Sequence, residues 1–142
     1  RLGRNNLVLA DAGGDIALVE MSHRHVAVLE AEAGLLVNTN HYNSPLMRPF
    51  FVETDPEPLR GNTFGRYATV ETALTGALGE IDLSLAQRLM AFHGDLQSSI
   101  CRHPVPGAES STISTMIFLP ARREMHFCDG RPCTGQYRLF SV

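Results

Sequence analysis

Asn40 stands in the word Thr39-Asn40-His41-Tyr42, where an apolar run gives way to a long irregular stretch. An Asn amide carries two N–H donors, and donors aimed into a cleft are what a developing oxyanion needs. Asn also begins turns by bonding nearby backbone, so residue type and place leave both uses open. Arg66 is the second unusual position, near the start of a helical pattern. A cation in a first turn opposes the helix dipole at about 0.3–1 kcal/mol, and residues set against local preference are enriched at working sites. A guanidinium simply lying in water is the plainer use. Cys101-Arg102-His103 brings a thiol, a guanidinium and an imidazole together. A Cys–His nucleophile pair two residues apart still needs a third group to orient it. His126, Cys128 and Cys133 also suggest ligation, but four residues separate the two cysteines and Pro132 abuts one of them. Cys101 and His103 would have to reach them from elsewhere, and a buried free Cys behaves as a small hydrophobe. No metal site and no cofactor are expected.

Composition narrows the chemistry further. All 12 basic residues are Arg, which removes a Schiff-base lysine, a P-loop lysine and a Ser–Lys pair from these 142 residues. The net charge is −3, with 12 acids against 7 Arg up to residue 100 and 3 acids against 5 Arg beyond it. That balance gives no reason to expect a nucleic-acid partner. No apolar run approaches a membrane span, and GxSxG, GxGxxG and HExxH are all absent. Three cysteines are too few for a disulfide framework, so a reducing compartment, the cytoplasm, is expected. A chain of this length is one domain's worth. It begins at Arg1 in what reads as mid-fold sequence, and a fragment or processed piece is expected.

These side chains need a scaffold. Four antiparallel strands are predicted over 6–12, 16–21, 26–30 and 35–40, with turns at Gly13-Gly14-Asp15, at Ser22-His23-Arg24-His25 and at Gly34. Their continuous apolar character suggests a sheet covered on both faces. Residues 41–61, with Pro45, Pro49, Pro56 and Pro58, are expected to form a functional loop or lid. Helices are predicted over 64–78, capped by Asn62 or Thr63 and ended by Gly79, and over 83–93, capped by Asp82 and stopped by Gly94. Strands follow over 112–119, 124–128 and 136–140. Segregated strands and helices give an α+β class. Two helices cover only one face of an apolar sheet, so a second sheet from other chain is expected on the other.

The wording of the chain, beyond its spacings, resembles a known family. The words are Asp11-Ala12-Gly13-Gly14-Asp15, Glu20-Met21-Ser22 and Leu36-Val37-Asn38-Thr39-Asn40-His41-Tyr42. They continue with Gly61-Asn62-Thr63-Phe64-Gly65-Arg66-Tyr67, Ser99-Ile100-Cys101-Arg102-His103, Ser111-Thr112-Ile113-Ser114-Thr115-Met116-Ile117 and Gly130-Arg131-Pro132-Cys133. In this order they resemble the C-terminal part of the acyl-coenzyme A:6-aminopenicillanate acyltransferase family, the C45 cysteine peptidases. These are N-terminal nucleophile (Ntn) hydrolases.

The resemblance implies an αββα sandwich, of which residues 1–142 supply a part as a single unit, made by a polypeptide that cleaves itself. Cleavage would expose a cysteine whose thiol attacks and whose α-amino group is the base. No cysteine of that kind opens this chain, so the resemblance puts the nucleophile upstream of Arg1. The N-terminal portion of the same polypeptide is then the expected partner, with a homo-oligomer as a further expectation. By the same resemblance Asn40 would donate to the oxyanion, and Arg66 would hold the thiolate or a substrate carboxylate, with Arg102 competing. His41 and Tyr42 would contact a small acyl substrate such as an acyl-coenzyme A, and the chain alone would be inactive. A non-catalytic α+β binding or scaffolding domain is the rival expectation.

Overall fold

In a computed structural model, which describes residues 5–141, the chain is α+β: two three-stranded antiparallel sheets and two helices. Strands β1 (Asn5–Ala10), β2 (Ile16–Met21) and β3 (Val26–Glu30) form the first sheet in that order. Helices α1 (Asn62–Thr75) and α2 (Leu83–Met90) follow. Strands β4 (Ser114–Leu119), β5 (Glu124–Asp129) and β6 (Tyr137–Ser141) form the second sheet, again in chain order. Both sheets are meanders of sequence-adjacent strands, and α2 lies against β4.

Local chemistry accounts for the turns. Asp11 Oδ1 accepts from the backbone N–H groups of Gly13, Gly14 and Asp15, which ends β1 two residues before the predicted limit. Ser22 Oγ accepts from Arg24 and His25 N–H and fixes the β2–β3 turn. The expected strand over 35–40 is absent. Ala33 and Gly34 turn the chain at positive φ, and only a single bridge, Glu32 to Leu35, forms there. Beyond it the backbone is held by a side chain in place of a ladder: Asn6 Nδ2 donates to Asn38 Oδ1 and to the carbonyls of Thr39 and His41 at 3.0–3.1 Å.

The helices also start and stop differently from expectation. Gly61, at φ 81°, is the N-cap of α1, and Asn62 and Thr63 lie inside its first turn, fully buried. The helix ends at Thr75 with Gly76 as its cap, short of Gly79. In α2 the Asp82 carboxylate caps Leu85 N–H at 2.7 Å as expected, but the helix ends at Met90, before Gly94.

Among the described residues, neither sheet is covered on both faces. Leu7, Val19 and Val28 are register partners on one face, and Leu7 and Val28 are exposed. The opposite face carries the fully buried Leu18 and Glu20. In the second sheet Met116, Phe118 and Phe140 are exposed on one face, while Thr115 and Cys128 are buried on the other. The total accessible surface is 9051 Å², whereas a compact monomer of this mass exposes about 7,250 Å².

Candidate active site

Asn40 leaves the irregular segment after β3, and Arg66 projects from the second turn of α1. Because α1 begins at Asn62, Arg66 is beyond the first turn, and its predicted conflict with the helix dipole largely disappears. Arg66 instead serves a defined contact. Its Nη2 donates to Asn40 Oδ1 at 2.6 Å, and its Nε donates to Asn62 Oδ1 at 2.6 Å. Asn62 in turn donates through Nδ2 to the carbonyls of Leu96 and Gln97 at 2.8 and 3.2 Å. The relay runs from the 94–98 turn through a buried amide to the guanidinium and then to Asn40.

This relay decides which way the Asn40 amide faces. Arginine only donates, so the atom it meets is the carbonyl oxygen. Both Nδ2 hydrogens of Asn40 then point elsewhere, and among the described residues they have no protein partner. Asn40 borders an open polar cavity of about 370 Å³, with Asn6, Asn38, Thr39, Phe51, Glu53, Asp55 and Thr63 around it. Asn6 Oδ1, a buried atom of that wall, is an acceptor with no donor among the described residues. Burial and the nearby Arg102 charge push Arg66 below its ordinary range, against the opposing pull of Asp55. An arginine stays charged under such pressure, so Arg66 is a permanent cation set behind the Asn40 amide.

The backbone around Asn40 is equally fixed. Its N–H donates to Thr63 Oγ1 at 2.9 Å, and Thr39 Oγ1 donates to Thr63 O at 2.9 Å. His41 Nδ1 lies 3.0 Å from Thr39 Oγ1 and 3.1 Å from Thr63 Oγ1. Burial lowers the His41 pKa, Arg48 and Arg66 lower it further, and Glu20 opposes them. A neutral imidazole with Nδ1 as acceptor fits that setting, and its ring packs 4.4 Å from Phe64 and 5.2 Å from Tyr67. Tyr42 is buried, with its hydroxyl donating to Met21 O at 2.8 Å. His41 and Tyr42 both border a second cavity of about 560 Å³, together with Arg48, Phe51, Phe64 and Tyr67. His41 Nδ1 and the Tyr42 hydroxyl are thus both committed to partners within the protein.

Arg102 is placed differently from Arg66. Its Nη2 donates to Ser110 Oγ at 2.7 Å and its N–H to Thr112 Oγ1 at 2.9 Å, and among the described residues it makes no hydrogen bond to Asn40. The expected lid is anchored in its first part. The fully buried Glu20 carboxylate accepts from Asn43 and Ser44 N–H, and Met47 is fully buried. The stretch over 51–55 is what reaches the 370 Å³ cavity.

Cys101 Sγ lies 3.9 Å from His103 Nε2, a long contact for a thiol–imidazole pair. Burial pushes the Cys101 thiol up, and lost hydration, Arg131 and His93 push His103 down, so both partners favour neutral forms. The structure instead gathers Cys101, His103, Cys133 and His93 into one cluster. His93 was missed in the sequence because it lies eight residues before Cys101, in no recognisable ligand spacing. His126 pairs with Glu124 and Cys128 is buried, and neither joins the cluster. No protein-family model matches the chain, and no curated protein matches it either.

Proposed function

We propose that this chain forms one wall of an Ntn-type cysteine amidohydrolase or acyltransferase acting on amide or thioester acyl groups. The observation that carries this reading is the Arg66–Asn40 contact, which leaves two amide donors directed away from the guanidinium beside a polar cavity. An upstream cysteine thiolate would attack the acyl carbon, forming a C–S bond while the carbonyl electron pair moves onto oxygen. Asn40 Nδ2 would hold that oxyanion, and Arg66 acts as its positioning residue. Collapse expels the amine, which takes the proton the thiol gave to the nucleophile's α-amino group, or expels a thiol in the thioester case. Water or an acceptor amine then attacks the acyl-enzyme thioester and regenerates the thiol.

The exposed sheet faces support the same reading. Met116, Phe118 and Phe140 on one sheet and Leu7 and Val28 on the other are apolar surface that an αββα sandwich would cover. The test uses the polypeptide that carries the upstream residues. Intact mass after incubation with an N-acyl or acyl-thioester substrate should show one acyl group, lost when the upstream cysteine is changed to Ala. A full-length chain with no cysteine at a cleavage junction, or one that never acylates, sinks the proposal in favour of a binding or scaffolding domain.

A further inference from the structure

The side chains of His93, Cys101, His103 and Cys133 come from three separate places. His93 follows α2, Cys101 and His103 lie in the connection to β4, and Cys133 sits in the β5–β6 turn. Their ligand atoms all lie within 4.8 Å of one another. His103 Nε2 is 3.0 Å from His93 Nε2, 3.4 Å from Cys133 Sγ and 3.9 Å from Cys101 Sγ. A tetrahedral zinc with bonds of about 2.3 Å to sulfur and 2.0–2.1 Å to nitrogen spaces its ligands at about 3.4 Å (N···N) and 3.6 Å (S···N). The three edges from His103 are each within about half an ångström of those figures, and the other three, at 4.8 Å or less, close up by a small side-chain shift when the ion binds. Hydrogen bonding satisfies one edge, His103 Nε2 to His93 Nε2 at 3.0 Å, but gives the two thiols only weak contacts at 3.4 and 3.9 Å.

We propose that His93, Cys101, His103 and Cys133 form a structural Zn²⁺ site that clamps the α2–β4 connection to the β5–β6 turn. Two sulfurs and two imidazoles in a tetrahedral arrangement suit zinc among the common divalent ions. Four protein ligands leave no open position for substrate or water, so the role is structural. Arg131 Nη1 lies 2.9 Å from His103 Nδ1. With the metal on Nε2 that nitrogen carries hydrogen, so this exposed guanidinium turns aside on binding. Zinc enters with loss of the two thiol protons, and no oxidant or reductant is involved.

The test is metal content of the 142-residue chain, purified under reducing conditions, loaded with zinc chloride and dialysed against a weak competing chelator. One zinc per chain is expected by elemental mass spectrometry. Cys133→Ser and His103→Gln should each retain less than ~0.1 equivalent, because a three-ligand remnant loses much of the binding energy. His126→Gln, outside the cluster, should retain a full equivalent. Cobalt chloride in place of zinc should give the visible bands of tetrahedral Co²⁺ with a sulfur charge-transfer band. A wild-type chain that keeps no metal overturns the proposal. So does full retention in Cys133→Ser, or a Cys101–Cys133 disulfide forming in place of metal binding under the same reducing conditions.

Discussion

At the scale of single residues, the Asn40 amide is held from behind by a charge that cannot be withdrawn. Under the proposed mechanism, Asn40→Ala in the full-length enzyme should lower the acylation rate by ~10²–10³, the usual loss of one oxyanion donor. Single-turnover kinetics with unchanged substrate affinity is the measurement. Arg66→Lys keeps the charge but cannot bond Asn40 and Asn62 together through a planar fork, so acylation should fall there too. If Arg102→Ala is the crippling change and Arg66→Ala is silent, the arginine has been misassigned.

His41 carries a pH signature. Its folded pKa lies below the ordinary 6.5, so under mild acid the unfolded chain takes a proton that the folded chain resists. The stability it contributes is complete above 6.5 and drains away as pH falls through that value toward the folded pKa. Melting temperature measured from neutral pH downward should show this slope, and His41→Gln should flatten it. Two members of the candidate site, Asn40 and Arg66, stand in the words that carry the family resemblance. That they touch was not legible, because 26 residues and an uncharted loop separate them. Asn62 and Thr63 suit helix caps by residue type, whereas their buried side chains tie Arg66 and Asn40 in place.

At the scale of elements, close approach outranks helix propensity in α1. A Cβ on Gly65 would sit 2.3 Å from the Gln97 carbonyl oxygen and 2.8 Å from its carbon, both backbone atoms. Gly65→Ala gains up to ~1 kcal/mol of helix propensity but forces the helix off the 94–98 turn, an overpacking cost of about 1–3 kcal/mol. The expected outcome is net destabilisation in a urea titration; a stabilised variant would mean that the approach is looser than described. Asp82→Ala should cost about 1 kcal/mol through loss of the α2 cap. Six of the seven predicted strands exist because hairpin chemistry is local, as at Asp11 and Ser22. The seventh, over 35–40, stops at one bridge after the Ala33–Gly34 turn, and Asn6 reaches across from β1 to Asn38 Oδ1 and Thr39 O, a partner of which periodicity carries no sign.

At the scale of the whole molecule, apolar surface decides the behaviour. The chain exposes 9051 Å², roughly 1,800 Å² above the scaling for a compact protein of its mass. That surplus exceeds what one partner contributes to a standard interface, about 800 Å². Light scattering of the isolated chain should therefore show a dimer or larger species whose mass rises with concentration. A sharp monomer with a cooperative melt would count against a missing covering sheet. On the proposed reading the isolated chain should also turn over no N-acyl or acyl-thioester substrate, since it holds the oxyanion donor without the nucleophile.

The meander topology has a kinetic consequence. Every strand pairing in both sheets joins neighbours in the sequence, so each closes a short loop and forms without waiting for distant chain. On a ribosome, β1–β3 would be complete before β4 is synthesised, with one apolar face already displayed. The hazard is greatest in that interval. A chaperone that recognises exposed Leu and Val should engage the nascent chain after residue 30, and on the proposed reading let go only when the covering sheet docks.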